Sequence, residues 1–320
     1  MRNSKWIGFV AGLAALLILF SLLSETVSTG SSAGYAARRH NVLKDFKSQK
    51  PHTIDVVVLG DSESYTSVDT MRLWHKRGIT AYVLGQPAAQ VSEMARMAEQ
   101  IAGYQKPKVV LVETNMLFRK VSMVNGAQNQ FGQTIGEAFP IFQNHDFWKA
   151  LFVKDCQVRR YNGFRVLTRA FPDTKVSGYM KPTRRAQAIP AFNQMMMARI
   201  VRACRDNGSR VILYSAPSTK NYSMAKHNAL EAYAAKLGVK YYDLNTRLGL
   251  TAIDWNQDTY DGGDHLNYNG AEKTTDALCA VLARCGLADH RGDKNYRAYA
   301  QLYRQYAKRV KRIDERWNHI

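Results

Sequence analysis

Ser62, Asn115, Asp261, Asp264 and His265 are residues whose types and order suit one chemistry, acyl transfer through a serine. That reaction needs a nucleophile, a base to take its proton, a group to orient the base, and donors for the developing oxyanion. Ser62 stands in Val56-Val57-Val58-Leu59-Gly60-Asp61-Ser62-Glu63-Ser64-Tyr65. The apolar, mostly β-branched run reads as a buried parallel strand entering a tight turn, with a helix opening behind it. Open α/β sheets carry their chemistry at that edge, and free N–H groups at a helix start hold an anion. Ser and Asp are also preferred N-cap residues, so this stretch alone equally suits a cap.

The elements around it decide. Ser64 to Arg77 reads as a helix stopped by Gly78, Thr80 to Leu84 as a second strand, Val91 to Tyr104 as a helix, and Val109 to Val112 as a third strand. Strand alternating with helix is the pattern of a doubly wound parallel sheet. Residues 118–185 are rich in aromatics, Gly and Pro without a clean period and read as an insertion shaping the substrate cleft, with His145 and Glu113 as further cleft candidates. A helix over roughly 189–207, a strand at Arg210 to Tyr214, a helix from Met224 to Leu237, a fifth strand at Lys240 to Leu244 and a helix from about Gly270 to Ala283 complete the set. Parallel topology gathers strand ends. The first delivers Ser62, the second Gly85 with its backbone N–H, the third Asn115 with its side-chain amide, and the loop after the fifth Asp261, Asp264 and His265.

In these blocks the chain resembles the SGNH, or GDSL-type, hydrolase superfamily, over residues 54 to 285. Gly60-Asp61-Ser62 matches the first block, Gly85 the second, Asn115 the third and His265 the last. The resemblance implies a flavodoxin-like three-layer α/β/α sandwich with a five-stranded parallel sheet. It also implies Ser62 as nucleophile, His265 as base, and Ser62 N–H, Gly85 N–H and Asn115 as oxyanion donors. There are departures. Glu63 stands where an apolar residue is usual, an acid favourable in a helix's first turn. The third block lacks its customary flanking Gly and Asp. Gly262 occupies the position of the usual acid three before the histidine, leaving Asp261 and Asp264 as candidates to orient it. Asp261 is preferred, because Gly262-Gly263 can fold its carboxylate back; Asp264 stays open.

Trp6 to Leu23 is uncharged for 18 residues, with Arg2 and Lys5 before it. That is long enough to span a bilayer, amino terminus in the cytoplasm. The reading is a cytoplasmic tip and signal-anchor at 1–24, a stalk at 25–53, the catalytic domain at 54–290 and a basic C-terminal helix at 291–320. Cleavage near Ser31-Ser32-Ala33 is the alternative. The formal net charge of +19, with basic residues dispersed, points to anionic lipid headgroups or wall polymers and away from nucleic acid. Cys156, Cys204, Cys279 and Cys285 lack metal-ligand spacing and are either two disulfides, with Cys279–Cys285 feasible at a helix end, or buried thiols. Tyr296, Tyr299, Tyr303, Tyr306, Val310, Ile313 and Trp317 keep a 3-4 alternation suited to a membrane, a partner or the domain itself.

The anchor and the Asp264-His265-Leu266-Asn267 block make the chain similar to membrane-anchored proteins of teichoic-acid D-alanylation and wall-polysaccharide O-acylation. This implies a serine acyl esterase or acyltransferase on cell-envelope polysaccharide or teichoic acid, beside a multispanning membrane acyltransferase, with no metal or organic cofactor required. The competing classes are a non-catalytic tethered scaffold for anionic polymer and a secreted general esterase or lipase.

Overall fold

The computed structural model describes residues 2–30, 41–142, 160–173, 176, 178–246 and 252–317. They fall into two units, Met1–Asp45 with Ser122–Val158, and Phe46–Val121 with Arg159–Ile320. In chain order the helices are α1 (Arg2–Gly30), α2 (Asn41–Lys47), α3 (Ser62–Ser67), α4 (Thr70–Arg77), α5 (Val91–Ile101), α6 (Met123–Ala138), α7 (Ala191–Asp206), α8 (Met224–Leu237), α9 (Tyr268–Leu282) and α10 (Arg297–Trp317). The strands are β1 (Val56–Gly60), β2 (Ala81–Gly85), β3 (Val109–Glu113), a short antiparallel pair β4 (Arg160–Tyr161) and β5 (Phe164–Arg165), then β6 (Arg210–Ser215) and β7 (Lys240–Asp243).

In the second unit, β1, β2, β3, β6 and β7 form one parallel sheet in the order β2-β1-β3-β6-β7. Every residue of β1, β2 and β3 is buried, which explains why these strands read as continuous apolar runs and not as alternating ones. The register pairs Gly60 with Gly85 and Ser215 with Asp243, and sets Val112 beside both Leu59 and Leu213. The carboxyl ends therefore meet at one edge. The strand order reverses beside β1, and Ser62 follows β1 at that switch point, the position where open α/β sheets bind ligands.

The C-terminal helix packs on its own unit. Tyr299, Tyr306 and Ile313 bury themselves with Met71, Trp74, Tyr161 and Phe164. The seam also forms polar contacts: Tyr299 Oη donates to Ala81 O at 3.0 Å, and Tyr306 Oη donates to a carboxylate oxygen of Asp69, the N-cap of α4. Burial pushes the Asp69 carboxyl up to about 6, opposed by the Tyr306 hydroxyl and the Arg72 and Met71 N–H groups. Tyr306→Phe leaves that buried carboxyl short of a donor and is expected to lower stability by about 1–3 kcal/mol. Urea unfolding should show an earlier midpoint with an unchanged slope.

Within the stretch 118–185, read as an insertion, 122–142 carries α6 in the first unit, and Tyr161 and Phe164 of the β4–β5 hairpin are buried in the second. Cys204, Cys279 and Cys285 are free thiols, so the Cys279–Cys285 bridge is not made. Cys279 sits within α9, and Cys285 follows its end with its N–H bonded to Leu282 O. His145 and Cys156 lie outside the described residues, as does the structure of 31–40 in the stalk.

Candidate active site

Asp61, and not Ser62, caps the helix after β1. Its Oδ1 accepts the Glu63 N–H at 3.0 Å, while the other oxygen takes the Asn115 amide at 3.1 Å and the Arg119 guanidinium. Ser62 is the first residue of α3 and stays half-buried with its hydroxyl free for another partner. That partner is His265, whose Nε2 lies 2.8 Å from Ser62 Oγ. On the far side of the ring Nδ1 is 2.7 Å from Asp261 Oδ2. Nδ1–H donating to Asp261 leaves Nε2 as acceptor for the serine proton, the tautomer a general base requires.

Why Asp261 reaches the ring is visible in its loop. An isolated antiparallel bridge joins Thr259 and Leu266, and Tyr260 N–H bonds His265 O at 2.8 Å, closing a narrow tip. Gly262 and Gly263 take φ of 73° and 91°, the left-handed region where a side chain is strained. A Cβ on Gly263 would come within 1.9 Å of Thr219 Oγ1. This reversal brings Asp261 Oδ1 onto the His265 N–H at 2.7 Å and Oδ2 onto the ring. Asp264 Oδ2 stands 3.6 Å from Nδ1, outside hydrogen-bond range. Of the two acids left open by the spacing, Asp261 is the one hydrogen-bonded to the ring. Asn267, ending the block, caps α9 through the Asn269 and Gly270 N–H groups.

Burial opposes protonation of His265. The hydrogen bond to Asp261 and the charges of Asp264, Asp261 and Asp61 outweigh it and raise the imidazole above its ordinary value. Asp261 also meets a burial penalty, but its bonds to the His265 side chain and backbone hold it below the usual carboxylate range.

Gly85 lies against the turn that carries Ser62. A Cβ there would sit 2.3 Å from Ser64 Oγ and 3.0 Å from Asp61 O, so the close approach requires glycine. Asn115 follows β3 and spends one amide hydrogen on Asp61. Glu113, a cleft candidate, is fully buried beneath Gly60: Tyr222 Oη donates to one carboxyl oxygen and Asn115 N–H to the other at 2.9 Å. Burial, then the charge of Asp61, pushes Glu113 up to about 8.

Glu63 stands in the first turn of α3 and is fully buried, and burial with the charges of Asp61, Glu113 and Asp264 drives its carboxyl well up, which favours the neutral acid. Its partner is Asn221, whose amide bridges Glu63 and Asp264, tying the serine helix to the histidine loop. Ser218 fastens the same loop by donating to Gly263 O at 2.9 Å. Asn221 and Ser218 follow β6, and asking what polar residues end that strand, as for the others, would have found them. Arg119 carries no such signal, because its role depends on the 3₁₀ turn Asn115–Phe118 that bends it back to Asp61.

Two further features bear on specificity of the assignment. His227 also pairs with an acid, Asp243 at 2.7 Å, but its surroundings are Glu231 and the Tyr241 ring, and among the described residues no serine hydroxyl is bonded to it. Glu63, Asp264 and His265 bring one ligand atom each within 4.8 Å of one another. Both imidazole nitrogens are already committed to Ser62 and Asp261, so a cation there would compete with the Ser62 hydroxyl for Nε2.

The chain matches no protein-family model and no curated protein. Among solved structures it is similar to a putative acylhydrolase from Bacteroides fragilis, with 12% identity over 78% of this chain and 97% of that one and a TM-score of 0.40. A GDSL-like lipase from Bacteroides thetaiotaomicron shares 11% identity over 77% of this chain and 95% of that one, TM-score 0.37. A putative platelet activating factor from Streptococcus pneumonia shares 13% over 86% and 99%, TM-score 0.39. Likeness at this level carries no argument for activity. The doubly wound sheet and the Ser62–His265–Asp261 geometry stand on their own distances.

Proposed function

We propose that this chain is a serine acyl esterase or acyltransferase of the SGNH type, anchored by α1 and acting outside the cytoplasm on O-acyl or D-alanyl esters of cell-envelope polysaccharide or teichoic acid. The observation that carries the catalytic part is the continuous hydrogen-bonded chain from Ser62 Oγ through His265 to Asp261. In this reading Ser62 Oγ attacks the ester carbonyl carbon as Nε2 takes its proton. The tetrahedral oxyanion is held by the Ser62 and Gly85 N–H groups and the second amide hydrogen of Asn115. The alcohol leaves with the proton from Nε2, giving an acyl-Ser62 that water or a sugar hydroxyl then resolves by the reverse steps.

The envelope location rests on two features. The Trp6–Ser24 span of α1 is 19 residues long and apolar, about 28 Å at helical rise, close to a bilayer's hydrocarbon thickness. The +19 charge suits anionic polymers and lipid headgroups, and a multispanning membrane acyltransferase is the partner that would supply the acyl group. The test incubates the full chain with O-acetylated wall polysaccharide, D-alanylated teichoic acid and small soluble esters, following released acid and acyl-Ser62 by mass spectrometry. Turnover of a polymer ester well above the soluble esters supports the reading; turnover of small esters alone favours a general esterase.

The pH profile has a definite sign. His265 must be neutral to act as base, so kcat/KM rises with pH through the raised His265 value, above the ordinary 6.5 or so, and plateaus beyond it. Asp264→Asn removes one of the charges that raise it and is expected to move this limb to lower pH with the plateau largely kept.

A further inference from the structure

We infer that α6 and the turn behind it form a lipid-facing surface that lies in the outer headgroup region of the bilayer beside α1. This rests on α1 being a membrane anchor, and every element it uses belongs to the first unit.

Three observations converge. Residues 121–136 carry no charge, between Lys120 and Glu137, in a chain with 71 charged side chains (45 basic plus 26 acidic). Within α6, Met123, Ala127, Phe131, Ile135 and Ala138 recur at helical spacing, and Met123, Val124 and Phe131 are exposed, Phe131 at 69%. A soluble helix turns such a stripe toward a core. Of the α6 residues only Gly126 and Gly136 are buried.

Helix stability makes the same point. Isolated helices of this length are marginal in water, and Gly126, Gly132 and Gly136 each cost about 1 kcal/mol relative to alanine. Little in the sequence of α6 compensates in water. At an interface the headgroup layer takes up an apolar stripe, and Asn125, Gln128 and Asn129 remain for the polar side.

The third observation bears on depth. The 3₁₀ turn Pro140–Phe142 follows α6 and packs along α1. Along α1 the residues from Trp6 to Phe20 are exposed apart from the half-buried Leu17, whereas Ser21 and Ser24 are buried; a Cβ on Gly8 or Gly12 would meet nothing within 4 Å outside the helix backbone. Ser21 and Ser24 lie inside the Trp6–Ser24 span. With the amino terminus in the cytoplasm, that end is the outer one, so whatever packs there is at outer-leaflet depth. Phe142 is exposed on that turn.

The experiment reconstitutes the full chain in phosphatidylcholine–phosphatidylglycerol vesicles made with and without brominated acyl chains. Trp6→Phe subtracts the Trp6 emission and so reports α1. Phe131→Trp, at an exposed position, adds an emission that reports α6, with ester turnover as the check on folding. Bromolipid quenching of both signals, about two-fold or more for the added one as expected for a ring sunk into the headgroup and acyl boundary, is the predicted result. Quenching of the Trp6 signal with an added emission that lipid leaves unchanged and aqueous iodide quenches would overturn the inference and leave the anchor standing. The same unquenched emission without iodide access would assign the face to protein contact and equally overturn it. If neither signal responds to bromolipid, the anchor reading fails together with the inference.

Discussion

Ser62→Ala is expected to reduce kcat on an ester substrate by about 10⁴- to 10⁶-fold, the scale on which serine triads fail when one member is removed. The hydroxyl that would attack is the group bonded to His265 Nε2, and Ser64 on α3 does not replace it: Ser64 Oγ is buried and donates to Asp61 O at 2.7 Å. His265→Ala should cost a similar factor, and the double variant little more than either, because a nucleophile without its base and a base without its nucleophile are equally idle. Single-turnover assays with the folded variants check this, and additive losses would contradict a concerted unit.

The second large effect separates two neighbouring acids. Asp261→Asn is expected to lower kcat by about 10³- to 10⁴-fold, because an amide nitrogen turned toward Nδ1 favours the tautomer in which Nε2 carries the hydrogen and cannot accept one. Asp264→Asn should stay within about ten-fold, since Asp264 stands beyond bonding distance of the ring and influences it by charge. Steady-state kinetics across pH distinguishes them: a lost plateau for the first, a displaced acid limb for the second. Equal losses in both variants would mean that the loop, and not the orienting bond, is what each change damages.

The sheet was legible because buried parallel strands are written as uninterrupted apolar runs, Val56–Leu59 and Val109–Val112 above all, and because Gly85 and Gly262-Gly263 mark places where the backbone must do what other residues cannot. Strand order and the four blocks named Ser62, Asp261 and His265, which the fold brings within hydrogen-bond reach of one another. Two things were not legible. The Glu63–Asn221–Asp264 bridge joins residues on three elements, and Glu63 beside Ser62 looks like a helix-start acid until the fold buries it. Helix α6 shows no clear period in the sequence because its apolar positions are diluted by Gly, Asn and Gln and do not face a protein core, so the usual contrast between an apolar and a charged face is missing. The aromatic seam of α10 was clear as a pattern, but the choice between membrane, partner and self was made by Met71, Trp74 and Asp69, which lie far away in sequence.

The central claim is an activated Ser62. The most direct measurement treats the full chain with a fluorophosphonate serine probe and maps the adduct by mass spectrometry. The account predicts one labelled peptide, at Ser62, absent in Ser62→Ala and formed far more slowly in His265→Ala. A folded chain that takes up no label at Ser62, or labels Ser62 equally well without His265, would contradict it.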